Sequence, residues 1–143
     1  MVLTTAIDIA APPEVVWETL ADFSTYGDWN PLTPRVDGTL DVGETVTLHV
    51  RLGGNKMKRR HTLSRADGTA LCWTIQSGAP WLIRGERCQT LTDLGDGTTR
   101  YENEERVEGL VGPLVKLTYG RTIQAALEAV GEGLKAHVEA LAG

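Results

Sequence analysis

The stretch PLVKLTYGRTIQAALEAVGEGLKAHVEALA, Pro113 to Ala142, decides how the rest of the chain is read. Ile123, Leu127, Val130, Leu134, Val138 and Leu141 recur at intervals of three and four residues, the period of one helical face. Pro113 stands at the first helical position, where its missing N–H costs nothing, and Gly112 precedes it as a breaker. At ~1.5 Å per residue such a helix is about 45 Å long. An element of that length needs a broad surface to cover one whole side of it. Gly120, Gly131 and Gly133 interrupt it, each at a cost of about 1 kcal/mol relative to alanine.

That surface is found upstream. From Arg35 to Gly109 the apolar period changes from helical to two. Val46, Leu48, Val50 and Leu52 alternate with polar residues, then Met57, Arg59, His61 and Leu63, then Leu71, Trp73 and Ile75. Ile83 to Leu94 and Thr98 to Glu108 complete this set of strands, with a weak one near Val36 to Leu40. Before them, Thr4 to Ile9 reads as a first strand, and Pro12-Pro13-Glu14 opens a helix with Val15, Val16, Trp17 and Leu20 on its apolar face. Asp22 to Trp29 reads as a second short helix or turn, stopped by Pro31. The expected fold is α+β: about seven antiparallel strands wrapped around the long C-terminal helix, with two short helices after the first strand.

Turn chemistry proposes a register. Gly54-Asn55 suits a two-residue hairpin turn, whereas Ala66-Asp67-Gly68 and Gly95-Asp96-Gly97 suit three-residue loops. These choices set Leu48 opposite His61, His61 opposite Trp73, Leu91 opposite Tyr101, Gln89 opposite Asn103 and Arg87 opposite Glu105. Centring the Ser77 to Leu82 connection on Pro80 places Trp73 beside Arg87. One inward row then runs Leu48, His61, Trp73, Arg87, Glu105. The inward set of the last two strands also holds Gln89, Leu91, Tyr101, Asn103 and Val107, which is too polar for a dry core.

The chain has 143 residues, 19 acids against 14 Lys and Arg, and 41% hydrophobic residues, which suits one domain over residues 1–143 with a single core. A net charge of −5 argues against a general nucleic-acid binder, whose affinity comes from neutralising phosphates. No apolar run is long enough to span a bilayer and no signal-like segment opens the chain, so a cytoplasmic location is expected. Cys72 and Cys88 face outward opposite each other in this register. A cross-strand bond between them is conceivable, but reduced thiols are expected in a cytoplasmic chain. No Cys/His cluster suggests zinc and no glycine-rich loop suggests phosphate, so neither metal nor cofactor is expected.

Strand, two short helices, six more strands and one long helix together resemble the helix-grip fold of the SRPBCC superfamily. That superfamily includes START lipid-transfer domains, birch-pollen-allergen-like proteins and bacterial polyketide cyclase/dehydrase-like proteins, the last being most similar. The resemblance is carried by Ala11-Pro12-Pro13-Glu14-Val15-Val16-Trp17, Tyr26-Gly27-Asp28-Trp29-Asn30-Pro31, Arg84-Gly85-Glu86, Glu105-Arg106-Val107-Glu108-Gly109-Leu110 and Ala126 to Lys135. It implies a pocket between the concave sheet face and the long helix. It transfers no catalytic residue, because the superfamily shares an architecture and no fixed motif.

The expected function is binding of a small hydrophobic or aromatic molecule in that pocket. Leu48, Trp73, Tyr101, Tyr119 and Ile123 are its expected walls. His61, Arg87, Gln89, Asn103 and Glu105 orient the ligand, and Gly120 leaves room for it. The alternative is a cyclase/dehydratase-like enzyme in which His61 or Glu105 is the base and Arg87 stabilises an oxyanion. The bland reading of these three is a buried cross-strand ion pair and a hydrogen-bonded histidine. A third possibility is a protein-interaction module of the stress-protein or ribosome-associated kind, using the outer sheet face. Trp17 and Trp29 read as packing anchors. Trp81-Leu82 either gates an entrance, serves a homodimer or folds back on the core. The basic run Lys56, Lys58, Arg59, Arg60 reads as a solvated edge, since the interleaved aromatics of nucleic-acid binders are missing.

Overall fold

A computed structural model describes residues 1–76 and 81–142. The elements, in chain order, are β1 (Val2–Ile9), α1 (Pro13–Ala21), a 3-10 turn (Phe23–Thr25) and α2 (Tyr26–Trp29). They continue with β2 (Arg35–Asp37), β3 (Thr45–Leu52), β4 (Asn55–Ala66) and β5 (Ala70–Gln76). Last come β6 (Arg84–Gly95), β7 (Thr98–Glu108) and α3 (Gly112–Ala142). The seven strands form one antiparallel sheet in the order β1-β7-β6-β5-β4-β3-β2, as the two-residue period predicts. The expected centre of the β5–β6 connection, Pro80, lies outside the described residues.

The core is shared by three layers of apolar side chains. From the sheet come Ile9, Val46, Leu48, Leu63, Leu71, Trp73 and Tyr101; from the short helices Val16, Leu20, Tyr26 and Trp29; from α3 Leu127, Val130, Leu134 and Val138. The C-terminal half of α3 is thus the part that packs. Leu141, although in phase with this stripe, is 66% exposed at the end of the helix. The glycines of that half are close-packing residues. A β-carbon on Gly133 would land on the Trp29 carbonyl oxygen, and one on Gly131 would press on Ile7 Cγ2 at 3.3 Å. α2 and β1 approach the helix backbone there because no side chain intervenes.

Two turns differ from expectation. The β3–β4 hairpin turns at Gly53-Gly54, with Leu52 paired to Asn55, one residue earlier than a Gly54-Asn55 turn. Both glycines have positive φ (59° and 84°), which a type I′ hairpin turn demands at both central positions and asparagine meets less readily. Leu48 therefore faces Arg59, and His61 faces Val46. Between β4 and β5 a bulge at Leu63/Arg65 lengthens the connection, and the Asp67 carboxylate accepts from Thr69 N and Ala70 N to hold the bend. Leu63, not His61, is opposite Trp73. The β4 side chains keep their faces because the β3–β4 slip is two residues, a whole period of the pleat. The β6–β7 turn is the two-residue Asp96-Gly97 instead of a three-residue loop. A bulge between Asp93 and Gly95 absorbs the difference, and Leu91–Tyr101, Gln89–Asn103 and Arg87–Glu105 pair as expected.

On the outer face Cys72 is opposite Cys88 with Cα atoms 4.2 Å apart, and the two are joined as a disulfide. This corrects the expectation of reduced thiols: direct cross-strand neighbours at that spacing are within bonding reach. No helix among the described residues is long and apolar enough to cross a membrane.

Candidate functional site

The inner face of β5, β6 and β7 carries a ladder of polar and aromatic groups. Trp73 pairs with Arg87, and Arg87 with Glu105; one step along, Gln89 pairs with Asn103, and the next step joins Leu91 to Tyr101. Alternation alone puts these side chains on one face. The Arg87 Nε donates to Glu105 Oε2 at 2.7 Å, with side chains only 16% and 17% exposed. The Tyr101 hydroxyl donates to Gln89 Oε1 at 2.6 Å and accepts from Asn103 Nδ2 at 3.2 Å. All three of these residues are buried, and burial raises the Tyr101 phenol above its ordinary range, so it stays a neutral donor.

Two buried polar atoms on this face have no partner among the described residues: Trp73 Nε1 and Asn103 Oδ1. One is a donor and the other an acceptor. Leaving such a group unpaired costs roughly 1–3 kcal/mol, so an interior normally avoids it. The Arg87 guanidinium bonds Glu105 only through Nε, which leaves its terminal nitrogens without a described hydrogen bond.

His61 reaches this cluster obliquely. Its ring is edge-on to Trp73 at 6.4 Å between centroids, and its Nδ1 is 3.4 Å from the Arg59 carbonyl oxygen. A carbonyl only accepts, so Nδ1 carries the proton and Nε2 keeps its lone pair. Burial pushes the imidazole down to about 4, and Arg87 and Arg59 add to this by opposing a second positive charge. His61 is therefore a neutral base at physiological pH.

Towards the N-terminal half of α3 the same face opens. A groove of about 480 Å³ runs between the β3–β4 tip and the helix, lined by Leu52, Met57, Arg59, Val115, Tyr119 and Ile123 among others. The tip closes one end, where a β-carbon on Gly53 would stand 3.5 Å from Thr122 Cγ2. Ile123 is buried at the groove's inner end and Tyr119 is 52% exposed at its rim. Leu48 is buried in the apolar core beneath.

The sequence-predicted residues thus fall into three groups. Trp73, Arg87, Gln89, Tyr101, Asn103 and Glu105 are brought together, with His61 against them and Leu48 two residues off the expected row. Tyr119 and Ile123 line the open groove. Gly120 does neither: it lies round the helix beside Leu3, Lys116 and Gln124, where a β-carbon would touch only Lys116 Cγ, at 3.6 Å. Its expected place over the polar half of the sheet is corrected by the helical turn itself, since the residues facing the groove are Val115, Tyr119, Thr122 and Ile123. Sequence reasoning missed Met57 and Arg59, although both share the inward parity of His61 on β4. It also missed Phe23, whose ring packs on Trp73 and Tyr26. Among the described residues no group of three His, Cys, Asp or Glu is placed to hold a metal ion.

A family model described as polyketide cyclase / dehydrase and lipid transport matches residues 1–139. No curated protein matches by sequence. Among solved structures, a START superfamily protein from Mycobacterium smegmatis is similar over 98% of both chains, with 22% identity and a TM-score of 0.74. A Thermus thermophilus protein is similar over 100% of both chains, with 17% identity and a TM-score of 0.79. The Zhui aromatase/cyclase from Streptomyces is similar over 93% of both chains, with 22% identity and a TM-score of 0.65. At these identities the likeness is one of fold.

Proposed function

Because the chain belongs to the polyketide cyclase / dehydrase and lipid transport family, we propose that it holds a small apolar or aromatic molecule with a polar end between the sheet and the N-terminal half of α3. The observation that carries this is the pair of buried, unpartnered atoms, Trp73 Nε1 and Asn103 Oδ1, on a face otherwise dressed with hydrogen bonds. A ligand carbonyl or hydroxyl supplies the missing partners, and Arg87 adds a cationic group beside them. The apolar body lies along Met57, Val115 and Ile123 towards the Tyr119 rim. The test is a hydrophobic fluorescent probe, displaced by a panel of fatty acids and polyphenols, with the melting temperature followed in parallel. Saturable probe binding and a raised melting temperature are expected. Absence of both across the panel overturns the reading.

A second reading, an enzyme of the cyclase/dehydratase kind, is favoured by one observation: His61 is a neutral imidazole with an open Nε2 beside the Arg87 guanidinium. In that reading Nε2 takes a proton from carbon α to a ligand carbonyl while Arg87 stabilises the enolate oxygen. Hydrogen–deuterium exchange of an aryl β-diketone in heavy water, followed by NMR, tests it. Wild-type protein accelerates exchange and His61→Gln does not; equal rates in both remove His61 from the chemistry.

A further inference from the structure

The outer face of β2, β3 and β4 carries a charge pattern at odds with the rest of the chain. Alternation turns Lys56, Lys58 and Arg60 outward on β4, and His49 and Arg51 outward on β3. Register sets Arg51 directly opposite Lys56, and His49 between Lys58 and Arg35. Like charges placed directly opposite each other destabilise a strand pair, so the fold gains nothing from this arrangement. Neither do acids offset it. Arg51, Lys56, Lys58 and Arg60 make no ion pair among the described residues, whereas Arg65, Arg84, Arg87, Arg100, Arg106 and Lys135 all do. The one acid of the patch, Asp37, is engaged by Arg35 at 2.9 Å and by His49 at 2.7 Å. In a chain with a net charge of −5, unpaired cations are concentrated on a single hairpin.

The patch is not flat. A groove of about 520 Å³ runs through it, and Pro34, Val50 and Met57 line it together with Arg35, Arg51, Lys56 and Lys58. Apolar groups thus lie between cations. Three strands at ~4.8 Å spacing give a width of roughly 10–14 Å, the diameter of one helix with its side chains.

We infer that this groove docks an acidic, amphipathic segment of another protein. Its Asp and Glu carboxylates pair with Arg51, Lys56 and Lys58, and an apolar side chain rests on Pro34, Val50 and Met57. Charge complementarity selects the occupant. A nucleic acid or an anionic membrane extends well past a patch of this width and meets the exposed acids Asp41 and Glu44 beside it. The patch also has no aromatic side chain on which a base can stack.

The test uses fluorescence anisotropy of two labelled peptides of equal charge, one alternating glutamate with leucine and the other glutamate with serine. Wild-type protein binds the leucine peptide saturably and more tightly than the serine peptide. The double variant Lys56→Glu/Lys58→Glu loses about tenfold or more in affinity, in keeping with the coupling energies of close charge pairs. Its melting curve and its binding of a hydrophobic probe in the interior groove stay as in the wild type. The inference is overturned if neither peptide binds, if the double variant binds as well as wild type, or if both peptides bind equally. Tighter binding of a single-stranded oligonucleotide or of phosphatidylserine vesicles than of the leucine peptide overturns it too.

Discussion

Arg87 and Glu105 face each other across β6 and β7, joined Nε to Oε2 at 2.7 Å with both side chains more than four-fifths buried. Such a pair is costly to break from one side only, because the remaining charge keeps its desolvation penalty and loses its partner. Arg87→Ala is expected to lower stability by about 3 kcal/mol, whereas Glu105→Gln keeps an acceptor oxygen and costs about 1 kcal/mol less. Urea denaturation of the two variants checks the order. Equal losses mean that the carboxylate charge is not held by Arg87.

His61 makes stability depend on pH in a defined window. Its pKa is pushed down to about 4 in the folded chain, against about 6.5 when unfolded, so between these values the unfolded chain binds more protons. Stability is therefore full above about pH 6.5 and falls as pH drops towards 4. The loss attributable to this residue is up to about 3 kcal/mol, less whatever partial exposure of the ring screens. Chemical denaturation at several pH values, compared with His61→Gln, checks this. The variant is expected to show a shallower decline through the same window, and an unchanged slope assigns the dependence to other groups.

The glycines of α3 separate by environment. A β-carbon on Gly133 meets the Trp29 carbonyl oxygen, a backbone atom that does not move without shifting α2. Gly133→Ala is expected to cost at least about 2 kcal/mol, the helix-propensity gain notwithstanding. Gly120 has open space apart from the flexible Lys116 side chain, so Gly120→Ala is expected to gain up to about 1 kcal/mol. It is also expected to leave interior probe binding unchanged. Thermal melts of both variants suffice; stabilisation by Gly133→Ala contradicts the close approach of α2.

These cases show what the sequence makes legible. Face assignments came from a period of two and survive any even slip, so the inward set of β6 and β7 was readable from alternation together with Asp96-Gly97. Absolute register depends on which glycine of Gly53-Gly54-Asn55 begins the turn, and composition does not distinguish two adjacent dipeptides with similar preferences. The bulge at Leu63/Arg65 leaves no signature in hydropathy, which is why His61 was read one pair away from its place. The orientation of Gly120 follows from the rotation of α3 about its axis. That rotation is set by contacts of Leu127, Val130, Leu134 and Val138 with distant elements.

Trp73 and Asn103 offer the most direct handle on the interior. Trp73→Phe keeps an aromatic body and removes the unpartnered indole N–H, and Asn103→Leu keeps much of the volume and removes the unpartnered Oδ1. Deleting a buried group that has no partner relieves a desolvation penalty of about 1–3 kcal/mol. Against this stand the smaller ring of phenylalanine and, for Asn103, the lost 3.2 Å bond to the Tyr101 hydroxyl. Both variants are therefore expected to stay within about 1.5 kcal/mol of wild-type stability without ligand. Ligand affinity moves the other way, because a polar end that completes these atoms in the wild type finds nothing in the variants. For a molecule with a carbonyl or hydroxyl end the expected loss is about tenfold in each variant, one hydrogen bond at roughly 1.4 kcal/mol. For a wholly apolar probe of the same shape no loss is expected. Calorimetric titration of such a matched pair of ligands into all three proteins decides it: equal losses for both ligands mean that packing, and not these two atoms, holds the polar end.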